Sequence, residues 1–375
     1  MNWRWIDNDN SLHEVVSLAI RQPAVAMDTE FVRERTFYPQ VALFQLCAGG
    51  TTFLIDPLKI TNPSPLRDLF DDQDTIKVFH SCAEDLEVLN NWVGKMPSPI
   101  FDTQIAASLL GIGFMFGYSN LVAEICAVEL SKTETRSNWL QRPLTDKQVK
   151  YAVQDVYYLD KLWKKLFKKS ELEGKKDWIL SDGQMLIEDI ENTHQQEHLK
   201  ISGGKNLSCL QLNGLHALSR WREDQAKKKD LPRRWIIDDK ICLRLLEAFP
   251  CTSDDLMDIE GVPDKIKNKY GKEIVDVFKE CLTSTDAEFS TQKKTTPLGA
   301  DSRRQVKLFK KLIRGIAQEL GTVPEVLIKS KDYVLLLDVF DKSNSELPSY
   351  WNGWRESLVI QPLKRHLSDL LKKEV

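Results

Sequence analysis

The segment Ala24-Val25-Ala26-Met27-Asp28-Thr29-Glu30-Phe31 constrains the fold of this chain more than any other. It is an apolar run of strand character that ends in two acids. Side chains two apart on a strand share a face, so Asp28 and Glu30 point the same way from an apolar element. Much later, Tyr151-Ala152-Val153-Gln154-Asp155 lies in a long helical pattern, where residues four apart stack on one face. Between the two, Phe79-His80-Ser81-Cys82-Ala83-Glu84-Asp85-Leu86-Glu87-Val88-Leu89 places another acid just after a strand. Carboxylates gathered against apolar surroundings repel one another and lose water. A divalent cation makes them tolerable, and oxygen-rich sites suit magnesium or manganese. Phosphodiester chemistry with two metal ions needs such a set.

Each segment has a bland reading when taken alone. Asp28-x-Glu30 is an ordinary solvated strand edge, and Tyr151-x-x-x-Asp155 an ordinary surface pair on a helix. The catalytic reading rests on all three in this order and context. Glu84 is the decoy beside Asp85: neighbours on a helix point about a hundred degrees apart, so only one of them faces a site.

Asp28-x-Glu30, Asp85 and Tyr151-x-x-x-Asp155 resemble the three motifs of the four-acid proofreading-type exonucleases, in the subclass marked by a tyrosine. The context from Asp28 to Pro39, together with Phe101-Asp102-Thr103-Gln104 and Trp139-Leu140-Gln141-Arg142-Pro143-Leu144, is similar to the bacterial ribonuclease D family essentially end to end. The motif register selects Asp85 over Glu84. The resemblance implies two Mg2+ or Mn2+ ions, with Asp28 bridging both, Glu30 and Asp155 completing the site of the water-activating ion, and Asp85 holding the second partly through water. Tyr151 then orients the attacking water. The implied activity is 3′–5′ exoribonucleolytic release of nucleoside 5′-monophosphates, and the implied substrate is RNA with a free 3′ end, tRNA precursors above all. Two rival readings are a DNA-directed 3′–5′ exonuclease with the same acids and an RNA-binding protein that has lost activity.

The first 170 or so residues read as mixed α/β, with strands from Val25 to Phe31, Val41 to Cys47, Thr52 to Ile55 and Thr75 to Phe79. Ala48-Gly49-Gly50 predicts a hairpin between the second and third candidates, Pro63-Ser64-Pro65 opens a helix, and helical patterns dominate from Asp85 onward. Asp102 has the position of an N-cap before Thr103. The order resembles a ribonuclease-H-like exonuclease core, a mixed sheet flanked by helices. Two all-α modules follow, and the first resembles the helicase-and-RNase-D C-terminal (HRDC) module. The expected division is an exonuclease domain over 1–170, a helical connection over 171–205 broken at Ser202-Gly203-Gly204, a first HRDC domain over 206–285, a linker over 286–300 that takes in most of the polar stretch Ser284 to Pro297, and a divergent HRDC-like domain over 301–375.

Net charge of -3 at 375 residues makes the chain slightly acidic, so a grip on a polyanion must come from local patches. Lys161, Lys164, Lys165 and Lys168 form one stripe; Lys227-Lys228-Lys229 with Arg233-Arg234, and Arg303-Arg304 with Lys307, Lys310 and Lys311, form two others. Bases of a single strand stack on aromatic side chains, and Phe31, Phe37-Tyr38, Trp139 and Gln141-Arg142 are the candidates near the motifs; Phe31 is equally open to a core role. His80, just after a strand and close to the motifs, is open to a substrate-phosphate contact, but a hydrogen-bonded structural histidine is the favoured reading. The seven cysteines are scattered with no Cys-x-x-Cys pair, and Cys47 and Cys82 sit in apolar contexts as reduced core residues. With no signal-peptide core and no run of membrane-spanning length, the expected setting is the cytoplasm, with no membrane contact, no obligatory protein partner and a monomeric state.

Overall fold

The computed structural model describes residues 1–131, 134, 137–192, 201, 207–283, 299–341 and 348–371. The predicted breaks at Ser202-Gly203-Gly204 and Ser284 to Pro297, and the end of the helical stretch beyond Asn192, lie outside the described residues.

The chain opens with β1 (Trp3–Ile6), α1 (Asp9–Ala19), β2 (Ala24–Val32), β3 (Gln40–Ala48) and β4 (Thr51–Ile55). Then come α2 (Pro65–Asp71), β5 (Ile76–Phe79), α3 (Ala83–Val93), β6 (Ile100–Asp102), α4 (Thr103–Leu109) and α5 (Tyr118–Cys126). The strands form a six-stranded sheet in the order β1-β4-β3-β2-β5-β6. It is mixed: β3 and β4 are antiparallel, whereas β1 with β4, β2 with β5 and β5 with β6 are parallel. The hairpin is closed by Gly49 and Gly50 at φ values of 57° and 80°, the left-handed region that a tight primed turn requires. Helical patterns do not run unbroken after Asp85. The three residues of β6 extend the sheet edge before Asp102 caps α4 by accepting from the backbone N–H groups of Gln104 and Ile105. A strand this short carries no alternation for a sequence reading to detect.

The first 170 residues end in α6 (Asp146–Leu172), entered through a capping box between Thr145 and Gln148. Such a cap contributes about 1 kcal/mol to helix stability. α6 lies against β2, β4 and β5. Ala24 and Ala26 of β2 share a buried cluster with Val156, Leu159, Leu162 and Leu166 of α6 and with Phe101 and Leu121. The same alternation along β2 continues into Asp28 and Glu30.

The chain divides into two compact units. One comprises 1–32, 41–188 and 298–375; the other comprises 33–40 and 189–297. In the first unit, α7 (Lys176–Asn192) follows α6. At Gly183 a Cβ would stand 2.5 Å from the Ile100 carbonyl oxygen, so only glycine permits that approach of α7 to β6.

The second unit holds α8 (Cys209–Lys229), α9 (Arg233–Ile236), α10 (Asp239–Ala248), α11 (Ser253–Met257) and α12 (Asp264–Thr283). α8 starts earlier than the Leu215 region that the sequence pattern singles out, because Ser208 and Gln211 form a capping box. The segment 33–40, which connects β2 to β3, belongs to this unit. Phe37 is buried at 5% exposure among Leu215, Ile236 and Ile274. The backbone N–H groups of Phe37 and Tyr38 each donate to Asp230 Oδ1 at 3.0 Å.

The C-terminal part of the first unit contains α13 (Ala300–Glu319), α14 (Pro324–Leu327), α15 (Tyr333–Asp341) and α16 (Gln361–Leu371). Its core joins Phe309, Ile313, Leu336, Trp351, Val359 and Leu363. Arg355 donates to both carboxylate oxygens of Asp182 on α7 at 2.6 and 2.7 Å, and Trp354 stacks on Trp178 with centroids 4.6 Å apart. Among the described residues, no helix is long and apolar enough to cross a membrane.

Candidate active site

β2 is paired with β5 only through Ala24 to Ala26. Beyond that, β5 ends, Ser81 takes a left-handed φ of 61°, and the chain turns into α3. β2, flanked on its other side by β3, runs on past β5 to Val32, so its carboxyl end lies between α3 and α6 without a β5 partner. Parallel strands commonly present their sites at this end.

One ligand oxygen from each of Asp28, Glu30 and Asp155 lies within 4.8 Å of the others. At an effective dielectric of about 20, two full charges at that separation repel by roughly 3 kcal/mol. No ion pair between these acids and a cationic side chain occurs among the described residues. Burial, reinforced by Asp85, Asp155 and Glu30, holds the Asp28 carboxyl well above the ordinary carboxylate range. Burial also raises Glu30, with Asp155 and Asp85 adding to it, and raises Asp155. Loss of water is the leading cause at each.

Asp85 stands apart from the trio. It sits in the first turn of α3, nearly buried at 9% exposure, while Glu84 is exposed. Its Oδ1 accepts from the Thr29 backbone N–H at 3.2 Å and from the Thr29 hydroxyl at 2.5 Å. Burial raises its pKa, and the two Thr29 hydrogen bonds oppose the shift. Thr29, between the two acids of β2, points to the opposite face from them and so reaches α3.

Tyr151 lies one turn before Asp155 on α6. Burial and the carboxylates of Asp155, Glu30 and Asp28 push its hydroxyl above the usual tyrosine range, so it stays protonated. The Trp139 ring backs it, with centroids 5.9 Å apart.

Three expectations about the substrate slot are corrected. Trp139 is buried at 2% exposure among Ala42, Leu43, Leu54, Ala152 and Val153, so its faces are closed to a base. Arg142 is a structural clamp. Its guanidinium donates to Asp56 Oδ1 and Oδ2 at 2.6 and 2.9 Å, and to the carbonyls of Ala42, Trp139 and Gln141 at 2.6, 2.8 and 2.8 Å. Those contacts engage every nitrogen of the fork, leaving it no role toward a phosphate. Phe37 is withdrawn into the second unit's core. Phe31 is half-buried and Tyr38 exposed. Gln141 donates to Gln148 at 2.7 Å and belongs to the α6 cap.

His80 has the structural role expected of it, with Nδ1 2.9 Å from the Thr103 hydroxyl and burial lowering its pKa. Asp102, besides capping α4, accepts from the Cys82 backbone N–H at 3.0 Å. Cys47 and Cys82 are buried free thiols. Sequence reading missed Tyr118 at the start of α5. Its ring meets His80 edge-on at 5.5 Å, and its hydroxyl donates to the backbone carbonyl of Asp155. The pattern Gly117-Tyr118-Ser119 carries no signal for that contact, which depends on how α5 packs on α6.

Residues 3–171 match the protein-family model described as a 3′–5′ exonuclease, and residues 211–278 match the HRDC domain. The chain is 34% identical to Ribonuclease D of Pseudomonas paraeruginosa over 96% of both sequences. It is 31% identical to Ribonuclease D of a Shewanella species, covering 97% of this chain and 94% of that one. Among solved structures, Escherichia coli RNase D, described as an exoribonuclease involved in structured RNA processing, superposes with a TM-score of 0.84 at 30% identity, over 98% of this chain and 99% of that one.

Proposed function

The chain belongs to the ribonuclease D family and is a 3′–5′ exoribonuclease, and from that premise we propose which residues carry out the hydrolysis and on which RNA. The observation that carries the assignment is the convergence of Asp28, Glu30 and Asp155 within 4.8 Å, without a cationic partner among the described residues. An all-carboxylate donor set whose members repel one another suits hard divalent cations.

Asp28, Glu30 and Asp155, with Asp85 beside them, are the residues that would hold two Mg2+ or Mn2+ ions, Asp28 as the ligand they share and Asp85 as the further ligand of the ion that does not activate the water. Such ions, when bound, acidify a water and neutralise the charge that develops on the phosphoryl oxygens. Thr29 holds Asp85 in its rotamer through the hydroxyl and backbone donors. The Tyr151 hydroxyl, kept protonated by its buried, acidic surroundings, orients the attacking water rather than taking its proton. Phe31, half-buried one residue after Glu30, is the side chain we assign to stacking on the terminal base. The products are nucleoside 5′-monophosphates.

The implied substrates are tRNA precursors with 3′ extensions and other small structured RNAs; the description of the Escherichia coli relative supports this choice. The chain acts as a monomer, with its domains bounded at 1–170, 171–205, 206–285, 286–300 and 301–375.

The test uses a 5′-labelled tRNA precursor with a short 3′ extension, a single-stranded RNA and a DNA of the same sequence. Each is incubated with Mg2+ or Mn2+, with EDTA, and with Asp155→Asn. Stepwise shortening of RNA that halts near the mature end and disappears with EDTA and in the variant supports the reading. Preferential shortening of DNA transfers the activity to the rival substrate. Tight RNA binding without shortening leaves a binding protein.

A further inference from the structure

The tertiary structure separates the three basic patches, which look alike in sequence. On α6, Lys164 pairs with Asp160 at 2.7 Å, Lys165 donates to the Ile125 carbonyl at 2.7 Å, and Lys161 lies over the Tyr157 ring. In the HRDC module, Arg233 forms a two-bonded pair with Glu223, and Lys227 also approaches Glu223 at 3.7 Å. Both cations face the Phe37 ring, at 4.7 and 5.8 Å, while Lys229 is taken by Gln225 and Tyr270. Most charges of these two patches are thus engaged by neighbours, and only Lys168 of the first and Lys228 and Arg234 of the second stay exposed without a partner among the described residues.

α13 differs. Arg303, Arg304, Lys307, Lys310, Lys311 and Arg314 are all exposed. At 3.6 residues per turn they fall within an arc of roughly 120° that runs about 16 Å along the helix. The acids of this helix, Asp301 and Glu319, project outside that arc by the same helical arithmetic. Among the described residues, the ion pair these cations form is a loose one, between Arg304 and Asp301 at 3.9 Å with both side chains almost fully exposed. Lys310 leans over Tyr333 at 5.5 Å; Lys307 and Lys311 have no partner among the described residues. An exposed, unneutralised row of cations on a slightly acidic chain is electrostatically complementary to a polyanion.

We propose that the solvent arc of α13 is a surface on which this chain holds the phosphate backbone of its RNA beyond the 3′ end being cleaved. The inference rests on the exoribonuclease reading and places RNA contact on the C-terminal module, outside the residues that match the HRDC domain. An anionic membrane is the weaker occupant. A basic amphipathic helix enters a bilayer by its apolar face, and that face is already committed, with Phe309, Ile313, Ile316 and Ala317 buried against Leu336 and Leu363.

The test is the full chain carrying Lys307→Gln, Lys311→Gln and Arg314→Gln. Binding to a tRNA precursor is followed by anisotropy in EDTA between 50 and 300 mM salt, about the range in which phosphate contacts are resolved. Three lost phosphate contacts should flatten the slope of log K against log salt by about 2 to 3 units. The preference for the precursor over a tetranucleotide should shrink with it. Lys164→Gln with Lys165→Gln, which removes cations already engaged by Asp160 and the Ile125 carbonyl, serves as the comparison and leaves the slope unchanged. If the triple variant melts early, Lys311→Gln alone should flatten the slope by about 0.7 to 0.9 units. A wild-type slope and affinity in a folded variant overturns the proposal. So does intact RNA binding with lost adsorption to phosphatidylglycerol vesicles, which gives the arc to a lipid surface. Failure of the underlying reading looks different: the wild-type chain then shortens no RNA at all, whatever its salt slope.

Discussion

The hydroxyl of Tyr118 donates to the backbone carbonyl of Asp155, so the first residue of α5 grips the helical turn that presents one of the clustered acids. The Gln154 carbonyl lies 3.3 Å from the same hydroxyl, and the Leu159 backbone N–H faces it from the next turn. Tyr118→Phe keeps the ring against His80 and removes only this tie. Loss of one such hydrogen bond is worth about 1 kcal/mol. The expected outcome is weaker Mn2+ binding, by several-fold to about tenfold, with kcat lowered and KM for RNA unchanged. Titration of Mn2+ by electron paramagnetic resonance alongside steady-state kinetics checks it. A fall in melting temperature with wild-type Mn2+ binding limits Tyr118 to packing.

The acid cluster makes the metal-free protein sensitive to pH. Burial raises the folded-state pKa values of Asp28, Glu30, Asp155 and Asp85 above those of an unfolded chain. Between the unfolded and folded values the native state binds more protons, so stability falls as pH rises through that window. In EDTA the melting temperature should therefore decline from about pH 5 upward. Mn2+ should restore it most at the alkaline end. Asp155→Asn removes one of the repelling charges and should flatten the metal-free decline. Melting curves across pH with EDTA or Mn2+ measure all three; a metal-free profile flat from pH 5 to 9 counts against the cluster.

Arg142 and Asp56 form a clamp rather than a substrate contact. Asp56 is almost fully buried, so Arg142→Ala leaves a carboxylate without its partner. Breaking such a pair costs roughly 3 kcal/mol or more. Denaturant unfolding should register that loss, while KM for RNA stays within about twofold. A large rise in KM with unchanged stability would return Arg142 to the substrate.

Asp182 and Arg355 connect α7 to the C-terminal helices within one compact unit. Both side chains are nearly buried, and Trp178 stacks on Trp354 beside them. Arg355→Ala should cost on the order of 3 kcal/mol for the same physical reason. It should also raise hydrogen exchange in α13 and α16 before it does so in β2. Uniform exchange across the unit would argue that the pair contributes little to holding this part of the chain.

Much of the framework was legible because its signals are local. Short apolar runs marked β2 and β3, the paired glycines marked the hairpin from β3 to β4, and Asp102 marked the start of α4. β1 and β6 escaped although β5, as short as β1, was read: Trp3–Ile6 and Ile100–Asp102 lie at the two edges of the sheet and take their strand identity from pairing with β4 and β5. The aromatic slot was read too generously. Phe37 and Trp139 lie close to the motifs in sequence, yet apolar burial outweighs proximity at both: one fills the core of the second unit, the other the space between sheet and α6.

The sequence by itself determined the acids, their order and the elements that carry them, because spacing along a strand or helix sets which side chains share a face. It also determined that the described residues after the exonuclease region are predominantly helical, through the 3.6-residue periodicity. Only the tertiary structure decided which charged side chains remain available. Arg142, Lys227 and Arg233 are spent on buried carboxylates, carbonyls and an aromatic ring, whereas the α13 cations stay in water. A charge is neutralised by whatever the fold brings within a few ångströms of it, whether that neighbour is near in sequence, as Glu223 is to Arg233, or far, as Asp56 is to Arg142.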